Sequence, residues 1–247
     1  MAALAAQAAK AGARLILFGE GALTGYLLTP EILAQAVEAG SPVVARLRDI
    51  ARRYRIVLVP GTIECSPAGL HMSQFVVYPE GQLVIQRKAN LTDDERKANL
   101  VPGAAERVLF QVDGVTMAIG ICADNGLENI HAQTRARGCQ LYLWPAAGGG
   151  SRDSKFAPAD LKDPQKRKKY EELMHGVAFP AFAIKPAAEL GLAIASCNLC
   201  GDDGVGKYHP GHSAIVDCHG RLRALECGQY VAEFLAPCLI HAEVELA

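Results

Sequence analysis

The sequence predicts an α/β (α+β) fold in which two mixed β-sheets carry helices on their outer faces. Short apolar runs alternate with amphipathic or Ala-rich segments, hairpin signals interrupt that alternation, and half of the 247 residues are apolar. That proportion can bury one large core, and no linker divides the chain, so residues 1–247 read as a single domain.

The elements follow in order. Leu4 to Ala11 is Ala-rich and helical, stopped by Gly12. Arg14-Leu-Ile-Leu-Phe-Gly19 is a short apolar strand, and Glu20 stands at its end. Ser41-Pro42 starts a helix with an N-cap and a proline at the first position. Its apolar positions Val43, Leu47, Ile50, Ala51 and Tyr54 fall on one face. Ile56-Val-Leu-Val-Pro60 is a continuous apolar strand. The runs 73–78 and 83–85 flank Pro79-Glu-Gly81, a hairpin signal, and the second run continues through Arg87 to Lys88. The runs 108–112 and 115–121 pair across Asp113-Gly114, and 140–144 and 192–196 continue the strand series. The stretch from Ser151 to Tyr170 is polar and ends in Lys166-Arg-Lys-Lys169, which reads as a solvated helix face. Its alternative reading, with Gly148-Gly-Gly150, is a loop at the rim of a pocket. No internal repeat is present.

Composition excludes several functions. A formal net charge of −1 gives no electrostatic case for nucleic acid or an anionic membrane surface. No apolar run approaches the roughly 18–20 residues of a membrane span, and the Ala-rich start lacks a signal peptide's ordered regions. The eight scattered cysteines therefore read as reduced thiols in a cytoplasmic protein. Cys197, Cys200, His209, His212, Cys218 and His219 have metal-like residue types, but their separations fit no standard zinc module. Neither a metal nor a cofactor is expected.

Cys122 carries the chemistry. Gly114-Val-Thr-Met-Ala-Ile-Gly-Ile-Cys122 reads as a buried strand that delivers a thiol at its C-terminal end, and Ala123 to Glu128 reads as the opening of a helix. That placement favours thiolate and supplies backbone N–H groups for an oxyanion. Glu20 and Lys88 also end predicted strands, and that edge of a layered α/β protein is where sites are built. Singly, each has a structural reading: a buried hydrophobe, a turn cap, a solvated strand end. Together, a thiol, a carboxylate and an ammonium at one sheet edge point to nucleophilic catalysis.

The surrounding residues resemble the nitrilase, or carbon–nitrogen hydrolase, superfamily. Phe18-Gly-Glu20-Gly-Ala-Leu-Thr-Gly25-Tyr26 is similar to its first signature. Arg87-Lys88-Ala-Asn-Leu91, followed by Asp94-Glu95-Arg96 and Pro102-Gly103, is similar to the second, and Gly120-Ile-Cys122-Ala-Asp124 to the third. Gly61-Thr-Ile-Glu64, Tyr78-Pro-Glu-Gly81, Trp144-Pro-Ala146, Asn198 and Gly211-His-Ser213 extend the likeness over nearly the whole chain. The resemblance implies a four-layer α-β-β-α sandwich. It also implies one without the family's usual first strand, because Met1-Ala-Ala-Leu-Ala-Ala-Gln reads as the helix after that strand. Gly19 departs from the proline that usually precedes the glutamate.

What the resemblance implies for function is hydrolysis of a non-peptide carbon–nitrogen bond, an amide or N-carbamoyl group in a small molecule. Cys122 would form the acyl intermediate and Glu20 would act as base. Lys88 would face the oxyanion with the backbone N–H of Ala123. Glu95 matches a second family carboxylate that orients Lys88, with Asp93 and Asp94 as competitors for that role. Tyr26, Asn125 and Trp144 are candidates for the pocket wall. A homodimer or higher homo-oligomer is expected from the resemblance alone. The true nitrilases typically follow the nucleophile with Trp-Glu, and here Ala123-Asp124 follows it. Three alternatives stand beside this reading: a glutamine-hydrolysing amidase domain serving a synthetase, suggested by Asp94-Glu-Arg96; a non-catalytic binding protein of the same fold, suggested by the missing first strand and Gly19; and a Cys-His hydrolase using one of the seven histidines.

Overall fold

The computed structural model describes residues 1–151, 158–172, 179–203, 207–225 and 239–247. Helix α1 (Ala2–Lys10) leads into β1 (Leu15–Leu17), and α2 (Pro30–Leu33) and α3 (Pro42–Tyr54) cross over to β2 (Val57–Val59). That helical crossover makes β1 and β2 parallel neighbours, with Leu15 opposite Val57 and Leu17 opposite Val59. Pro42 opens α3 as expected, although the Ser41 side chain makes no capping bond. The buried face of α3 is Val44, Leu47 and Ala51, while Val43 is 40% exposed. The inward stripe is turned toward Val44 because α3 packs against α1 as well as the sheet.

Strands β3 (Gly61–Ser66), β4 (Gly69–Val77) and β5 (Leu83–Arg87) complete the first sheet. The ladder on β4 keeps one register from Leu58 opposite Val77 to Gly61 opposite Gln74, so β2 and β3 lie end to end on one side of β4. On its other side, β4 pairs with β5 from Ser73 opposite Arg87 to Val77 opposite Leu83. Helix α4 (Asp93–Lys97) follows.

The second sheet begins with the hairpin of β6 (Phe110–Val112) and β7 (Val115–Ile119). Helix α5 (Ile130–Ala136) then leads to β8 (Leu141–Ala146), and a short β9 (Gly150–Ser151) precedes α6 (Pro164–Glu172) and α7 (Phe179–Leu190). The chain continues through β10 (Ala193–Asn198), β11 (Cys200–Asp202), β12 (Lys207–Pro210), β13 (Ala214–Val216) and β14 (Leu222–Leu225). The second sheet runs β14-β13-β10-β8-β7-β6, and β11, β12 and β9 form a small third sheet. Strands β7, β8 and β10 are parallel, as helical crossovers require, while their hairpin neighbours are antiparallel.

Period-two alternation sorts the side chains into layers. Val57, Val59, Met72 and Val76 of the first sheet meet Phe110, Met117, Ile119 and Leu143 of the second. Leu58, Phe75 and Val77 point the other way, against Ala5, Ala8, Val44 and Leu47 of α1 and α3. Tyr142, Trp144 and Ile194 pack with Ala183 and Ala187 of α7. The result is the four-layer α-β-β-α sandwich with two mixed sheets. Lys166 to Lys169 lie exposed on α6, the solvated face the sequence predicts. Of the stretch proposed as a rim loop, 152–157 lie outside the described residues, while Pro158–Lys162 is a 3-10 turn and the rest leads into α6. Among the described residues, no helix is long and apolar enough to cross a membrane.

Candidate active site

Glu20 sits just beyond β1, where the backbone is fixed on both sides. Gln74 Nε2 donates to the carbonyls of Phe18 (2.9 Å) and Val59 (2.8 Å). A Cβ on Gly61 would lie 2.5 Å from Gly19 O and 2.6 Å from Gly21 N, so only glycine lets β3 pass the loop that holds Glu20. Glu20 N donates to Ala146 O (3.2 Å), and Glu20 Oε2 accepts from Ala147 N (3.0 Å).

Lys88 follows β5 directly. Its N–H donates to Met72 O (2.8 Å) and its carbonyl accepts from Gly103 N (2.7 Å). Its ammonium donates to Glu20 Oε1 at 2.8 Å and to Glu95 Oε1 at 2.7 Å, and all three side chains are fully buried. Glu95 arrives there through a capping box. Thr92 Oγ1 accepts from Glu95 N, and Glu95 Oε2 accepts from Thr92 N at 2.7 Å. That geometry turns Glu95 inward and leaves its competitors Asp93 and Asp94 exposed, paired with Arg96 and Lys97. Tyr26 Oη donates to Glu95 Oε1 (2.9 Å), and its ring centre lies 5.9 Å from Lys88 Nζ.

Cys122 departs from expectation in its local structure. Strand β7 ends at Ile119, Cys122 takes a left-handed φ of 47°, and Cys122–Gly126 forms a 3-10 turn. The helix α5 begins only at Ile130, so a 3-10 turn stands where the sequence predicts an α-helix directly after the thiol. A left-handed residue cannot continue a strand or start an α-helix, and the turn is what lifts the thiol out of the sheet. A side chain at Gly120 would collide with Tyr142, whose Oη would lie 1.8 Å from the Cβ. The thiol lies close enough to Glu20 and to the backbone of Ala147 for both to bear on its ionisation.

The electrostatics revise the resting state. Burial, then the Glu20 carboxylate, push the Cys122 thiol up to about 12 against the opposing pull of Lys88. Burial raises Glu20 to about 7; Lys88 pulls it down and Glu95 adds to the rise. Burial works against the Lys88 charge, but Glu20, Cys122 and Glu95 outweigh it and hold the ammonium above its ordinary range. Cys122 therefore rests as a thiol beside a carboxylate poised near neutrality, where the sequence suggested a thiolate. Burial first, then Glu20 and Glu95, keep the Tyr26 phenol protonated as a donor.

The other candidates separate. The Ala123 carbonyl accepts from Asn90 Nδ2 (2.7 Å), which fixes the peptide beside the thiol. Asn125 Nδ2 donates to Gly120 O (3.1 Å) and Cys122 O (3.0 Å), so its amide braces the turn. His131 Nε2 meets Asn125 Oδ1 at 3.1 Å, and burial lowers its pKa to about 4. Trp144 packs into the helix-facing cluster on the outer side of the second sheet, because β8 alternates and Leu143 takes the inner side. Tyr26 lines a cavity of about 670 Å³ together with Leu28, Lys97 and Leu199, and the Lys207–Asp94 ion pair (3.3 Å) spans its rim. Among the described residues, no cluster of three or more His, Cys, Asp or Glu side chains could hold a metal.

Sequence reasoning gave no role to Ala147, Arg107 or Asp124. Ala147 contributes a backbone N–H, which has no residue-type signature. Arg107 lies 17 residues from its partner Asp124, at 2.5 Å in space. Thr92 was recoverable, since Thr92-Asp-Asp-Glu95 has the spacing of a capping box.

The two mixed sheets packed back to back match what comparison with known proteins finds. The chain belongs to the carbon–nitrogen hydrolase family, whose model matches residues 1–233. An amidase from Nesterenkonia sp. superposes with a TM-score of 0.70 at 28% identity, covering 91% of this chain and 77% of the amidase. A mutant of the Nesterenkonia sp. AN1 amidase with acrylamide added at its active-site cysteine also gives 0.70 at 28% identity, covering 91% and 80%. Nitrilase 1 of Arabidopsis thaliana is 28% identical over 172 residues, 58% of this chain and 47% of the nitrilase. The glutamine-dependent NAD(+) synthetase of Xylella fastidiosa is 30% identical over 221 residues, 85% of this chain and 35% of the synthetase. The chain thus spans about half the nitrilase and about a third of the synthetase.

Proposed function

We propose that the protein hydrolyses the carbon–nitrogen bond of a small amide or N-carbamoyl compound through an acyl group carried on Cys122. The observation that carries this reading is one buried cluster in which Lys88 bridges Glu20 and Glu95 beside the Cys122 thiol. Glu20 takes the thiol proton as sulfur attacks the carbonyl carbon, so no free thiolate has to persist. The tetrahedral oxyanion is met by the Lys88 ammonium and the N–H of Ala123. Glu20 returns the proton to the leaving nitrogen, ammonia or an amine departs, and a thioester remains, or a thiocarbamate where the substrate is an N-carbamoyl compound. Water then attacks that carbonyl with Glu20 as base, releasing the carboxylic or carbamic acid and restoring the thiol. Glu95 acts through Lys88, which it fixes with Tyr26.

A second reading within the same chemistry is hydrolysis of glutamine for a synthetase. Similarity to the Xylella synthetase over 221 residues supports it, as do the paired charges at the cavity rim. One experiment tests both: ammonia release from simple amides, N-carbamoyl amino acids, glutamine and nitriles, with Cys122→Ala as blank. Release by the wild type and none by the variant is the expected result, and the preferred compound assigns the branch. A folded wild type that releases ammonia from no compound would favour the non-catalytic alternative.

A further inference from the structure

Asn90 Nδ2, which donates to the Ala123 carbonyl, is one link between the Lys88 loop and the Cys122 turn; it does not hold the backbone that leads into Cys122. Loop and turn belong to different sheets, and Cys122 is held at a φ that cysteine rarely adopts. Asp124 lies between them, fully buried. Its Oδ1 accepts from the N–H groups of Ala89 (2.9 Å) and Asn90 (2.8 Å), the two residues after Lys88. Its Oδ2 accepts from Ile121 N (3.0 Å), the residue before Cys122, and from Arg107 Nη1 (2.5 Å). Arg107 spends its remaining donors on the carbonyls of Ala104 and Ala105, just beyond Gly103, which bonds the Lys88 carbonyl. One carboxylate thus ties three segments together, one oxygen per sheet.

We propose that Asp124 is a positioning residue, a buried staple that sets the Cys122 thiol against Glu20 and Lys88 by gripping the backbone on both sides of the sheet interface. The inference rests on the hydrolase reading for its kinetic arm. A buried ion pair adds little net stability over an apolar pair of similar shape, and what this one delivers is registry. Asparagine cannot replace it. An amide has one accepting oxygen, and its NH2 would face either the Ala89 and Asn90 donors or the Ile121 donor. Whichever way it turns, one catalytic segment loses its anchor.

The test compares wild type, Asp124→Asn and the double variant Asp124→Asn/Arg107→Met, which also removes the unpaired guanidinium. Three readouts are taken: thermal midpoint, kcat and KM on the best amide, and the rate of Cys122 alkylation by iodoacetamide across pH. Asp124→Asn is expected to lower kcat about 100-fold with KM nearly unchanged, the scale of a misplacement near 1 Å. Its alkylation profile moves away from the wild-type profile, which a purely structural loss would leave in place once the protein is folded. The double variant recovers the thermal midpoint but neither turnover nor the alkylation profile. Turnover and profile returning together with the midpoint would overturn the proposal, as would an Asp124→Asn protein indistinguishable from wild type in both. If no amide is turned over by the wild type, the hydrolase reading fails while the alkylation arm still decides the role of Asp124.

Discussion

Glu20 is where burial sets the chemistry. A carboxylate with an ordinary value of 4.5 is raised to about 7 by loss of solvent, with Lys88 close enough to stop the rise going further. In the proposed mechanism Glu20 must be deprotonated to accept the thiol proton, so kcat/KM is expected to rise with pH as Glu20 loses its proton. The expected profile has an acid limb with an apparent pKa of about 7, shared by the coupled Glu20-Lys88-Cys122 group. A pH–rate profile on any hydrolysed amide checks this; a limb centred near 4.5 would mean that burial does not raise the carboxylate. At this scale the sequence was informative wherever residue type limits chemistry: a thiol, a carboxylate and an ammonium in that order. It was uninformative for Ala147 and Ala123, whose contributions come from the backbone. It did not foresee that Asn125 braces the Cys122 turn or that Trp144 packs on the helix-facing side, since side-chain direction depends on a turn and a sheet face that neighbouring residues do not report.

The short helix α4 shows how an element can place a residue. Thr92 Oγ1 accepts from Glu95 N, and the reciprocal bond from Thr92 N holds Glu95 Oε2, leaving Oε1 for Lys88 and Tyr26. Thr92→Ala removes the side-chain half of the box. It is expected to cost about 1 kcal/mol in urea unfolding and to lower kcat, because Glu95 loses a constraint on its direction. Unchanged kcat with the same stability loss would limit the cap to a structural role. The Cys122 turn carries the opposite lesson. Its apolar lead-in predicted a strand through to the thiol and a helix after it, but Cys122 at φ 47° ended one and delayed the other. A left-handed residue that is neither glycine nor asparagine has no compositional signal, and here it is held by Asn125 and Asp124 from inside the fold.

For the whole molecule, the decisive feature is that the site straddles two sheets. Glu20 and Lys88 leave the ends of β1 and β5, while Cys122 and Ala147 follow β7 and β8. The apolar layer of Val59, Met72, Ile119 and Leu143 sets the spacing between them. Leu143→Ala, at a fully buried position on β8, is expected to cost about 2–5 kcal/mol through lost burial and the cavity left behind. Its kcat should fall further than KM rises, since relaxation of the second sheet displaces the thiol from Glu20. Denaturant unfolding and steady-state kinetics on one preparation read both effects; lost stability with unchanged kcat would separate packing from alignment.

By itself, the sequence determined the α/β layering, the hairpins, the strand ends that carry Glu20 and Lys88, and the family to which the chain belongs. Those features rest on local periodicity, turn residues and short motifs, which neighbouring residues suffice to write. The tertiary structure alone decided that Glu95 rather than Asp93 or Asp94 meets Lys88, that the thiol rests protonated, and that Asp124 joins the two catalytic segments. These depend on burial and on contacts between segments far apart in the chain, and such contacts exist only once the two sheets have packed.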